Sequence, residues 1–172
     1  MKRTLSLLTA VFALLTLFCS CTKQDSIDVY EYCKRYNSEF GKNKMNYENL
    51  LKEDGDENRY YSFIDINEKT ALVTISVNKE KTVTGVALTI TNENNSFSDE
   101  DLKKSFQIYT ELSAVISRNT TEDIKKILAQ CEISENDIAF EDKNYSAENE
   151  NLKFTLLENS EIITMYADKI IN

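Results

Sequence analysis

Two four-residue links constrain this chain more than any other feature. Asn67-Glu68-Lys69-Thr70 and Asn78-Lys79-Glu80-Lys81 separate three runs rich in β-branched and aromatic residues, 60–66, 71–77 and 83–91. Links this short cannot carry a parallel crossover, so the three runs predict an antiparallel meander. In the middle run Ala71, Val73, Ile75 and Val77 alternate with Thr74 and Ser76, the pattern of a sheet with one covered face. Runs 152–157 and 162–167, joined by Glu158-Asn159-Ser160-Glu161, predict a further hairpin, with a strand over 138–142 ahead of it. A short extra strand is read around 47–51.

Helices fill the intervals. Val29, Cys33, Tyr36 and Phe40 recur at helical spacing, and Tyr32 widens the stripe. Ser26 or Asp28 can cap the start and Gly41 can supply a left-handed stop, which predicts a helix over 28–40. Ser98 with Asp101, and Thr120 with Asp123, each match a capping box with Asp in the acidic position. The stripe Leu102, Phe106, Tyr109, Leu112 and Ile116 predicts a helix over 99–117, with Phe106 facing the sheet and Gln107 facing water. Ile124, Ile127, Leu128 and Cys131 mark the next helix. The fold class is therefore α+β, an antiparallel sheet of two meanders with three helices packed mainly on one face.

Residues 28–172 are expected to form one domain, with 28–92 and 98–168 readable as two similar halves. At a constant offset of 91, Phe63 lies over Phe154, Asn67 over Glu158 and Ala71 over Ile162; chance accounts for such a match equally well. The order of elements resembles tandem α+β modules of the β-lactamase-inhibitor-protein type. That resemblance implies helices over one face of an antiparallel sheet and transfers no function.

The N-terminus carries an address. Met1, Lys2 and Arg3 precede a 14-residue uncharged, mostly apolar run over 5–18. A membrane-spanning helix needs about 20 apolar residues, so a signal peptide over 1–20 is expected instead. Leu17-Phe18-Cys19-Ser20-Cys21 resembles the lipobox of bacterial lipoproteins, with Ser20 in the small position and Cys21 as acceptor; Phe18 and Cys19 depart from the usual pattern. The resemblance implies a lipidated Cys21, a tether over 21–27, and an extracytoplasmic location on a bacterial membrane.

Composition narrows the chemistry. The chain has no His and only 3 Gly, which removes imidazole bases, imidazole metal ligands and Gly-rich phosphate loops. Ser76 and Lys79 have the Ser-x-x-Lys spacing, but fall on a strand end and a turn rather than on one helical turn. No catalytic residue and no cofactor is expected. Asp54, Asp56 and Asn58 have the alternate spacing that opens a calcium loop, yet Arg59 and Asp65 stand where Gly and a bidentate Glu are required, and an acidic turn is the simpler reading. Cys33 and Cys131 leave two arrangements open: a disulfide, as an extracytoplasmic address permits, or two unlinked thiols on helix faces.

Cleavage before Cys21 leaves 18 basic against 29 acidic groups, since Lys2 and Arg3 are lost. Nucleic acid and anionic headgroups both demand a clustered basic face and are poor partners for such a chain, so no nucleic acid is expected. The expected function is a non-catalytic, membrane-anchored lipoprotein that binds an envelope protein or peptide through the exposed face or edge of its sheet. Tyr60, Tyr61, Tyr145 and Tyr166 are the candidate interface aromatics. The alternative is a small-ligand or envelope-stress module with a pocket between helices and sheet.

Overall fold

The computed structural model describes residues 26–42, 44–48, 50–52, 55–93 and 97–170. The signal run, Cys21 and Asp54 lie outside the described residues. The elements follow as α1 (Val29–Glu39), β1 (Arg59–Ile66), β2 (Lys69–Val77), β3 (Val83–Thr91), α2 (Asp99–Ser117), α3 (Thr121–Gln130), β4 (Lys143–Glu148), β5 (Leu152–Glu158) and β6 (Ile162–Lys169). The fold is α+β, with the helices against one face of an antiparallel sheet.

Each set of three strands forms a meander, and the two join edge to edge between β3 and β6 in the order β1-β2-β3-β6-β5-β4. A two-fold axis normal to the sheet at that seam would exchange β1 with β4, β2 with β5 and β3 with β6. The offset of 91 is one strand out of step with this symmetry, because it lays β1 over β5. It also reverses facing: Phe63 is 49% exposed, whereas Phe154 is 1% exposed in the core.

Short links are resolved tightly. The β1–β2 turn needs only Asn67 and Glu68, both at positive φ (48° and 70°), so β2 resumes at Lys69. Two left-handed residues in succession match the right-handed twist of the flanking strands. At the β2–β3 turn, Asn78 Oδ1 accepts from the backbone N–H groups of Glu80 and Thr82 at 3.0 Å each.

α1 starts on Asp28, whose Oδ1 accepts from Glu31 N–H at 2.8 Å. It ends on Phe40 at φ −120°, and the described glycine with positive φ is Gly55, so Gly41 is not the left-handed stop expected of it. Ile27, assigned to the tether by sequence, is 5% exposed and its carbonyl accepts from Val83 N–H at 2.9 Å. Folded structure therefore includes it.

α2 is the central pillar. Both expected capping boxes are present, at Ser98/Asp101 and Thr120/Asp123. Leu102, Phe106, Tyr109, Leu112 and Ile116 are all buried. Its other sides are covered too, and its polar residues bond locally: Ser105 and Ser113 donate to the carbonyls one turn back, Asp101 and Tyr109, at 2.8 Å each. Tyr32 of α1 donates from its hydroxyl to Leu112 O at 2.9 Å, fixing one helix on the other. Gln107 is exposed, but its Nε2 donates to buried Glu111 at 2.8 Å.

Two expected strands differ. Residues 138–142 are a loop, and the strand forms one step later, at β4. Ile133 and Ile138 are buried pegs of this irregular segment, which Ser134 tightens by donating from N–H and Oγ to Asp137 Oδ2 at 2.8 and 2.5 Å. The segment over 47–51 contributes a single bridge, Leu51 to Tyr61.

The 131–142 loop rests on Glu158, which is 5% exposed. Its Oε1 accepts from Ala139 N–H at 3.2 Å, while its Oε2 is buried without a partner. Burial pushes this carboxyl up to about 7; the Ala139 bond and Lys143 oppose the shift, and Glu141 and Asp137 add to it. The folded state thus holds the proton more tightly than the unfolded chain, so stability is highest below the ordinary Glu value and falls as pH rises towards about 7. Glu158→Gln is expected to match the parent protein near pH 4 and to exceed it above pH 7, by up to about 3 kcal/mol. Urea melts across that range check it; equal stabilities at high pH would refute the charge penalty.

Candidate functional site

Among the described residues, the helix-covered side of the sheet is closely packed where α2 and α3 meet the β5–β6 hairpin. Between α2, α3 and the β5–β6 hairpin only about 10 Å³ remains, bordered by Phe106, Leu128, Ile133, Phe154 and Met165. This gap is apolar and no larger than one water, so it offers no seat for a ligand.

The other side is open, and strand register carries three rows across all six strands, with Asp65, Thr70, Thr91 and Ile162 beyond the first of them. One row crosses the sheet as Phe63, Leu72, Thr89, Thr164, Leu157 and Asn144. The next is Tyr61, Thr74, Ala87, Tyr166, Thr155 and Ser146. The third is Arg59, Ser76, Gly85, Asp168, Lys153 and Glu148. The face therefore grades from apolar and hydroxylic to charged along the strand direction. Phe63, Leu157 and Ile162 are 49, 42 and 39% exposed on it.

A hollow of about 260 Å³ lies over β2 and β3. Tyr61 and Tyr166 are its walls, Thr74 and Ala87 its floor, and Arg59, Ser76 and Asp168 line one end. The hollow exists because short side chains stand between two long ones. Neighbouring strands run about 4.8 Å apart, which places the two tyrosine Cα atoms about 14 Å from each other. Gly85 shapes the charged end: a Cβ there would lie 2.1 Å from Asp168 Oδ1, so the carboxylate occupies the space of the missing side chain. Desolvation raises this carboxyl above its ordinary value, and Lys153 counteracts the shift.

Sequence-predicted residues are distributed unevenly. Tyr61 and Tyr166 meet at the hollow, whereas Tyr60 and Tyr145 lie on the helix side, partly buried against the core. Cys33 is fully buried and Cys131 is exposed at the end of α3, off the apolar face expected of it; both thiols are free, so the disulfide is not formed. Burial pushes the Cys33 thiol up to about 12, which makes it unreactive. Asp56 accepts from Asn58 N–H at 2.9 Å and pairs with Arg59 at 3.6 Å, while Asp54 lies outside the described residues. Among the described residues no cluster of three His, Cys, Asp or Glu could hold a metal ion. Thr74, Gly85, Ala87 and Asp168 were not singled out from sequence. Gly85 alone carried a signal, as a glycine inside a strand marks a close approach.

A second hollow, of about 430 Å³, separates the start of α2 from the 131–142 loop, with Phe97, Leu102, Ile138 and Phe140 beneath Asp99, Lys103, Glu135 and Glu141. No family model, curated protein or solved structure matches this chain.

Proposed function

We propose that the protein is an extracytoplasmic lipoprotein, anchored through Cys21, that binds a protein or peptide on the open face of its sheet and performs no catalysis. The observation that supports this is the contrast between the two faces. Where α2 and α3 meet the β5–β6 hairpin, one face is packed to a residual 10 Å³, while the other leaves Phe63, Leu157 and Ile162 in water beside a tyrosine-walled hollow. Exposed aromatic and aliphatic side chains grouped on one surface are characteristic of interaction sites. A small-ligand role is the second reading, favoured by the 430 Å³ hollow at the start of α2, whose size falls in the range of ligand pockets.

A photoreactive residue placed at Phe63 in the full chain, in native membranes, is expected to capture a partner that the same probe at Lys126, on the exposed side of α3, does not. Capture from Lys126 alone would overturn the open-face assignment. Anchoring is tested separately. Cys21→Ser is expected to move the protein from the membrane fraction to the soluble fraction, and unchanged detergent-dependent partitioning would defeat the lipid anchor.

A further inference from the structure

Taking the open face as the partner's seat, we infer that its hollow receives a basic side chain of the partner, a lysine or arginine whose stem lies between Tyr61 and Tyr166 and whose cation meets Asp168. The first support is the placement of the carboxylate. Asp168 fills the position a side chain at Gly85 would take, at the end of the hollow and over the backbone of β3. Lys153, opposite it on β5, acts on it at a distance without forming an ion pair among the described residues. The carboxylate is thus exposed at the end of the hollow with no cation paired to it among the described residues, and an incoming cation can pair with it directly.

The second support is shape. A trough two strands wide, floored by Thr74 and Ala87 and walled by two tyrosine rings, suits one long unbranched side chain whose apolar stem lies along the rings. Arg59, on the far wall, pairs with Asp56 at 3.6 Å, which offsets its charge at the site. The third support acts at longer range: the chain carries a formal net charge of −9, which draws cationic partners and repels anionic ones.

The test uses the full chain in detergent micelles and four fluorescein-labelled, capped pentapeptides that differ only at the central residue, which is arginine, lysine, leucine or glutamate. Anisotropy titrations at low ionic strength are expected to show the arginine and lysine peptides binding about tenfold tighter than the leucine peptide, with the margin shrinking as salt is added. Asp168→Asn should erase that margin and leave leucine-peptide binding unchanged, while Asp168→Glu retains part of it. Gly85→Ala, which changes no charge but displaces the carboxylate, should act like Asp168→Asn; if it fails to fold, Asp168→Asn decides. Equal or tighter binding of the leucine or glutamate peptide, a margin that survives Asp168→Asn, or no binding of any peptide would each overturn the inference. Capture from Phe63 in membranes is read independently, so the open face can stand when the basic side chain falls.

Discussion

Phe106→Ala is expected to cost about 3 to 5 kcal/mol, a large share of the roughly 5 to 15 kcal/mol that holds a domain folded. Phe106 is 3% exposed, lies 6.4 Å from the Tyr109 ring, and borders the small gap shared with Leu128, Ile133 and Met165. Those neighbours belong to a helix, a loop and a strand with anchors of their own, so the site collapses poorly and the cavity term stays large. The adjacent position is a milder case than helical phase alone implies. Gln107→Ala deprives Glu111, 7% exposed, of its 2.8 Å partner and leaves it the Tyr36 hydroxyl at 3.3 Å. A loss of about 1 kcal/mol is expected there. Urea melts of the two variants check both values, and a smaller loss at 106 than at 107 would mean that α2 is rotated.

Asp101→Ala is the second large effect, expected at about 2 to 4 kcal/mol. This buried carboxylate serves two jobs. It closes the capping box of α2, accepting from Ser98 N–H and Oγ at 2.8 Å each, and it clamps the β1–β2 turn to that helix through Asn67 Nδ2 at 2.9 Å and the Lys69 ammonium. Burial alone would raise its carboxyl, but hydrogen bonds from Lys69, the Ser98 backbone and Asn67 outweigh burial and hold it well below the usual carboxylate range. The folded state therefore releases the proton more readily than the unfolded chain. Its contribution is complete above about pH 4 and is lost as pH falls below that value, opposite in sign to Glu158. Asp101→Asn should accordingly remove part of the acid-induced loss of stability between about pH 4 and pH 2. Parallel acid melts for variant and parent would exclude the clamp.

What could be read from sequence was local. Ser98, Asp101, Thr120 and Asp123 announce helix starts because a cap is a contact between residues three apart, and α2 begins and ends where its stripe predicts. Val83–Thr91 was legible for a similar reason, as a run rich in β-branched residues. β4, by contrast, is Lys-Asn-Tyr-Ser-Ala-Glu, with only Tyr145 and Ala147 turned to the core. Nothing in that composition favours a strand; the hydrogen bonds offered by β5 impose it. The more apolar Ile138 lost the competition because the core needed a peg there rather than a ladder. The hollow was invisible for a stronger reason. Tyr61 and Tyr166 are 105 positions apart and become walls only through the β3–β6 seam, which no local pattern encodes.

That seam also sets the order of assembly. Its pairs join residues 71 to 83 positions apart, from Thr91 with Ile162 to Gly85 with Asp168, whereas every other ladder closes a short turn. Each meander can form early, and the union of the two must wait for a long loop to close. Until then β3 and β6 are free edges, while the lasting edges β1 and β4 bear Arg59, Asp65, Lys143 and Glu148. The finished sheet thus hides in its middle the two strands that would otherwise recruit a neighbouring chain. The hazard belongs to the half-assembled molecule, so refolding yield should fall with protein concentration even though the native surface gives no warning of it.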